Sequence, residues 1–130
     1  MKTLLRVTAI LETGIGFALA TAPSKVFLVL LGSPLEAPGG PVVGRVLGAS
    51  LVSLGAACWF ARGDAQGQTD KGLIAALLLY NIAAASLLGY ARIGLLLPGL
   101  GLWPAVILHS ALAVWCVACL RTTRQLGSGS

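Results

Sequence analysis

Three side chains in this sequence could handle protons in an apolar setting: Glu12, Asn81 and His109. Glu12 stands within TAILETGIGFALATAPS (residues 8–24), Asn81 within LLLYNIAAAS (residues 77–86) and His109 within PAVILHSALAV (residues 104–114). A carboxyl among apolar residues persists when it is protonated or paired, and a carboxamide and an imidazole are suitable partners. Such a cluster could bind the polar head of a hydrophobic ligand, or pass a proton to one. Ionisable groups inside membrane helices mark functional sites by default. The structural alternative is a polar clasp that fixes helix register with Glu12 neutral, since buried polar groups need partners whatever the function.

Two further chemistries deserve a hearing. His109 is the only histidine, and Ala105 and Ala113 on its face would let a porphyrin approach. Haem ligation would then need a second chain or a different second ligand. The run CVAC places Cys116 and Cys119 at CxxC spacing, with Cys58 as a third thiol. A helix C-terminus disfavours the thiolate that redox chemistry needs, so apolar filling is the default role of these cysteines. A zinc site is weaker still, because His109 lies about 10 Å along the helix from Cys116 and no fourth ligand is evident. No metal or other cofactor is expected from the motifs: there is no Walker loop, no dinucleotide fingerprint and no HExxH.

These residues need elements to hold them, and composition says which. The chain is 57% hydrophobic and 10% charged over 130 residues, against about 25% charged in a soluble domain. Mean hydropathy is +0.91. Net charge is +5, but the basic residues are scattered, without the aromatic interleaving that nucleic-acid binding uses. A membrane-spanning helix needs roughly 20 apolar residues, and four segments supply them, at about 3–22, 41–62, 71–92 and 102–121. None alternates as a strand does, and a backbone in lipid must satisfy its own hydrogen bonds, so helices are expected. The fold class is all-α, an integral membrane four-helix bundle in one domain over residues 1–125. Residues 126–130, LGSGS, read as a cloning remnant.

The first segment, with Lys2, Arg6 and the small residues Ala18, Ala20 and Ala22, superficially resembles a signal peptide; Glu12 interrupts its apolar run, so it reads as a retained helix. Pro23 should end it. SKVFLVLLG is too short to span and reads as an interfacial helix over about 24–31, capped by Ser24 and stopped by Gly32. GDAQGQTD (63–70) reads as a solvated loop, and LPGLGLWP (97–104) as a tight apolar turn with Trp103 at interface depth.

Lys2, Arg6, Arg62, Lys71, Arg121 and Arg124 fall on one side of this topology, and Lys25, Arg45 and Arg92 on the other. The positive-inside rule then puts both termini in the cytoplasm. Glu12, Asn81 and His109 lie about 14, 15 and 18 Å in from that side, near the midplane. Each has small neighbours on its own face: Thr8 and Gly16 for Glu12, Ala84 and Ala85 for Asn81, Ala105 and Ala113 for His109. Small residues mark faces turned to other helices, so the three side chains are expected to converge. Tyr80 is close to Asn81 in depth but is expected to point about 100° away from it. The stripes Gly14/Ala18/Ala22, Gly44/Gly48, Ala49/Ser53/Ala57 and Ala85/Gly89 are expected to carry the packing. Arg45 is expected near the outer mouth, either snorkelling to headgroups or binding an anionic group.

In the second segment, Arg45, Gly48, Gly55 and the closing Ala61-Arg62, preceded by a glycine-bearing first helix, Pro23 and an apolar piece, resemble small four-helix bacterial membrane proteins of the DoxX-like kind. The resemblance covers about half the chain and implies an inner-membrane protein, with some relatives tied to quinone-linked respiration. It transfers no catalytic residue. Four-helix multidrug transporters are similar in carrying a glutamate in the first helix, but this chain has no Trp or Tyr between residues 3 and 58. The leading expectation is a bundle that binds a hydrophobic small molecule or a membrane lipid, or serves as accessory subunit of a membrane complex, with a homo-oligomer or a larger membrane complex as its candidate assembly. The alternatives are a proton-coupled transporter, and a quinone-linked thiol or haem redox protein. An enzymatic role is the less favoured reading, since no loop is long enough to hold a soluble catalytic domain.

Overall fold

The computed structural model describes residues 1–63 and 68–127, and among these every regular element is a helix. They are α1 (Lys2–Thr21), α2 (Pro23–Leu31), α3 (Gly40–Ala61), α4 (Gln68–Ile93) and α5 (Leu102–Gly127). All but α2 are long and apolar enough to cross a membrane. The break between α1 and α2 is local chemistry. Ala22 leaves helical geometry at φ −137°, ψ 58°, and Pro23 opens α2 at its first position, where the missing N–H costs nothing. Ser24 makes no cap, because the helix starts one residue before it. Gly32 ends α2 at φ 80°, donating its N–H to the Leu28 carbonyl at 2.9 Å.

The long helices form two close pairs, α1 with α3 and α4 with α5. Bare backbone defines the first pair. A Cβ on Gly48 would sit 2.5 Å from both the Ala20 nitrogen and the Gly16 carbonyl, and one on Gly16 would sit 2.7 Å from the Gly48 carbonyl. Gly55 lies as tightly against Thr13, and Gly44 against Pro23. Of the expected stripes, Gly44/Gly48 is in place. Gly14 and Gly89 have nothing within 4 Å, and Ala49, Ser53 and Ala57 are exposed. Four-residue spacing occurs on several faces of each helix, and only one face meets a partner.

The two pairs touch along lighter seams, α3 with α4 and α1 with α5. Near the N-terminal end of α1 they close completely: Leu4 and Leu5, Cys58, Ile74 and Leu77, and Cys116 are all fully buried there. At the opposite end the link is indirect. Gly101 donates its N–H to the Val29 carbonyl at 3.0 Å, and Gly99 lies so close to the Leu30 carbonyl that no Cβ would fit. The turn before α5 is thereby fastened to the end of α2, and Arg92 Nη1 steadies it from within by donating to the Leu97 carbonyl at 2.8 Å.

Two boundaries differ from the sequence expectation. Residues 68–70 belong to α4 rather than to a loop, while 64–67 lie outside the described residues. α5 continues through Leu126 and Gly127, whereas 128–130 lie outside the described residues. A helix extends past its apolar stretch as long as no Pro or capping signal stops it.

Candidate functional site

Each site residue sits on the buried stripe of its helix. α1 buries Leu5, Thr8, Glu12, Gly16 and Leu19, spacings of three and four that return to one face. α4 buries Ile74, Leu77 and Asn81 in the same manner. Glu12 is 3% exposed and Asn81 1%; His109 on α5 is half-buried.

The polar groups form a chain. Asn81 Nδ2 donates to the Leu77 carbonyl at 2.8 Å. That carbonyl can only accept, so it fixes the carboxamide and leaves Asn81 Oδ1 facing His109 Nδ1, 2.8 Å away. The imidazole therefore carries its proton on Nδ1 and donates it to Asn81. The Tyr80 ring meets the His109 ring edge-on, with centroids 5.5 Å apart and planes at 87°. The Tyr80 hydroxyl donates to Glu12 Oε2 at 3.2 Å. Asn81 and His109 thus bond directly, and Glu12 joins them through Tyr80.

Tyr80 is the site residue that the sequence reading directed elsewhere. The angle along the helix wheel is right, but a long phenol sweeps across the gap between neighbouring faces. Ala84 held the signal: it lies three residues from Asn81 and four from Tyr80, so one small residue clears space for both.

Above this chain the helix pairs part around a half-open cleft. A cavity of about 730 Å³ separates the two helix pairs. Glu12, Tyr80 and His109 lie at one end. The walls are aliphatic, among them Leu19, Leu51, Ala84 and Leu88, and Val26 and Leu30 of α2 with Gly101 close the far end. Lys25 is the cation on the lining. Arg45, expected at the mouth, is exposed and takes no part in the wall.

The cysteines lie elsewhere. Cys58 and Cys116 are fully buried in the closed core, and Cys119 is half-buried against it. Cys58 and Cys116 are enclosed by leucine, isoleucine and alanine, an environment that shields a thiol from a redox partner. Among the described residues, no group of three or more His, Cys, Asp and Glu gathers as a metal site. Haem iron would have to take His109 Nε2, because Nδ1 is engaged by Asn81. Thr8 Oγ1, one turn from Glu12, is the buried side-chain polar atom without a partner among the described residues.

No family model, curated protein or solved structure matches this chain.

Proposed function

We propose that this chain is an integral membrane protein, with four helices across the bilayer and both termini in the cytoplasm, that holds an apolar small molecule or a lipid between its helix pairs. The cavity carries this reading: about 730 Å³, within the roughly 300–1,000 Å³ of small-molecule sites, and aliphatic with a few convergent polar groups, as such sites are. The distribution of residues supports the membrane. Phe17 is 66% exposed, Val43 67%, Phe60 80% and Val114 70%, while Gly16, Gly44, Gly48 and Gly55 are buried. Large apolar residues outside with glycines inside suit lipid and not water. The resemblance to DoxX-like proteins implies the inner membrane of a bacterium.

The test is native mass spectrometry of the protein released from lipid nanodiscs. An apolar molecule bound to the wild type should be lost from Ala84→Trp and Ala105→Trp, which fill the cavity from two walls. Equal occupancy in all three proteins would sink the reading. Glu12→Gln should fold normally and change the bound population; if it changes nothing, Glu12 is part of a structural clasp.

Proton-coupled transport is the second reading, favoured by one observation. Glu12 lines the cavity and has as its partner a neutral phenol, not a cation. A carboxyl so placed can release a proton as a ligand binds and recover it as the ligand leaves. Transport of a lipophilic cation into proteoliposomes against a pH gradient, lost in Glu12→Gln, would establish it.

A further inference from the structure

We infer that the polar end of the cavity presents hydrogen-bond acceptors, so that the ligand is an amphiphile whose head donates a hydrogen bond, an alcohol or an amine, rather than an anion or a head that only accepts. This deepens the ligand-binding reading and rests on it.

The argument starts from the Leu77 carbonyl. It accepts from Asn81 Nδ2, which turns Asn81 Oδ1 toward His109 and places the imidazole proton on Nδ1. In the neutral ring the other nitrogen, Nε2, is then a lone pair. His109 lines the cavity, and no bond from Nε2 to the protein occurs among the described residues. Nε2 is also not among the buried polar atoms that lack partners, so it retains access to the cavity. Glu12 repeats the pattern. Oε2 accepts from Tyr80; Oε1 has no protein donor among the described residues and is likewise not sealed off. Tyr80 spends its proton on Glu12. The floor of the cavity thus offers the His109 ring lone pair and, when Glu12 is ionised, a carboxylate oxygen, while the Tyr80 and His109 donors are turned inward, to Glu12 and Asn81.

A ligand head that only accepts would leave these atoms unpaired in a water-poor site, whereas a donor head satisfies them. A donor and an acceptor at a desolvated site differ by about tenfold or more in affinity. With Glu12 ionised, an anionic head would also bring a second negative group toward it, and in either state such a head accepts but does not donate to His109 Nε2. Lys25 could offset that charge, but it lies on α2, at the other end of the cavity.

Four probes with one C10 chain test this: decanol, decylamine, decyl methyl ether and decanoate. Each is loaded at equal mole fraction into nanodiscs, and its occupancy is read by native mass spectrometry. The alcohol or the amine should exceed the ether about tenfold, with decanoate lowest. Binding of all four to the same extent, or preference for the ether or decanoate, would overturn the inference while leaving a ligand cavity in place. Binding of none would overturn both. The arms separate the two donors. Preference for the amine that falls about tenfold in Glu12→Gln makes the carboxylate the recognition group. Preference for the alcohol that falls in His109→Phe but persists in Glu12→Gln makes it the imidazole. A donor preference unchanged in both variants would overturn the assignment to these acceptors.

Discussion

The two ends of this bundle are built on opposite principles from the same four helices. Near the start of α1 all four meet, and Leu4, Leu5, Ile74, Leu77 and Cys116 are fully buried. Past Glu12 they part around a cavity of about 730 Å³, and α2 and the turn before α5 hold the far end together. The closed end has side chains long enough to reach across the bundle. At the hollow end the α4–α5 side of the cavity presents Ala83, Ala84 and Ala105, with Gly101 just before α5, and side chains this short do not reach across to α1 and α3. The polar chain lies at the boundary. There a carboxyl and an imidazole can keep one side in protein and one toward the cavity. A close-packed end supplies rigidity, and an open end can take a ligand only because its walls are held by something else.

That contrast can be broken first at the seam on which both ends depend. Gly48→Leu drives a side chain into the backbone of α1, where a bare Cβ would already lie 2.5 Å from Ala20 and Gly16. A loss of about 3 kcal/mol is expected, read as the midpoint of reversible SDS unfolding. Gly14→Leu and Gly89→Leu, with open space around them, should stay within about 0.5 kcal/mol of wild type. Equal effects at all three glycines would refute the helix pairing.

Next comes the closed end against the hollow one. Leu77→Ala should cost about 2 kcal/mol, toward the low end of the range for core truncations. On the membrane reading proposed above, an unpaired helix would keep its leucine in lipid, so the packing term would carry most of the loss. Leu87→Ala, on the cavity wall and 68% exposed, should change stability by less than about 0.5 kcal/mol and alter which ligands bind. The same unfolding assay decides between them.

Smaller effects sharpen the boundary. Asn81→Leu deprives His109 Nδ1 of its acceptor and should cost about 1–2 kcal/mol. It should also let the imidazole turn, which ¹⁵N chemical shifts of the ring would show as a mixture of tautomers. Tyr80→Phe removes one hydrogen bond and should cost only about 0.6 kcal/mol, the average found for bonds between membrane helices. If Tyr80→Phe exceeded Asn81→Leu, the centre of the polar chain would be Glu12–Tyr80 rather than Asn81–His109.

Much of this was already legible in the residues. The length and apolarity of four segments, the break at Pro23 and the left-handed stop at Gly32 are local properties, set by hydropathy, ring closure and the absence of a Cβ. Glu12, Asn81 and His109 stand out for a similar reason: a polar group in an apolar run needs a partner, and only a few candidates lie at its depth.

Tertiary structure decided what local rules leave open. Several faces of α1 and α3 carry small residues, yet Gly16, Gly48 and Gly55 face the partner and Gly14 does not, because helix rotation is a property of the pair. Tyr80 reaches Glu12 across two elements far apart in sequence. Arg45 and Lys25 are alike by composition, and only the placement of α2 sets Lys25 on the cavity wall. The cavity itself belongs to no segment: it is the space left where two helix pairs, joined at one end by long side chains and fastened at the other by α2, stand too far apart to touch.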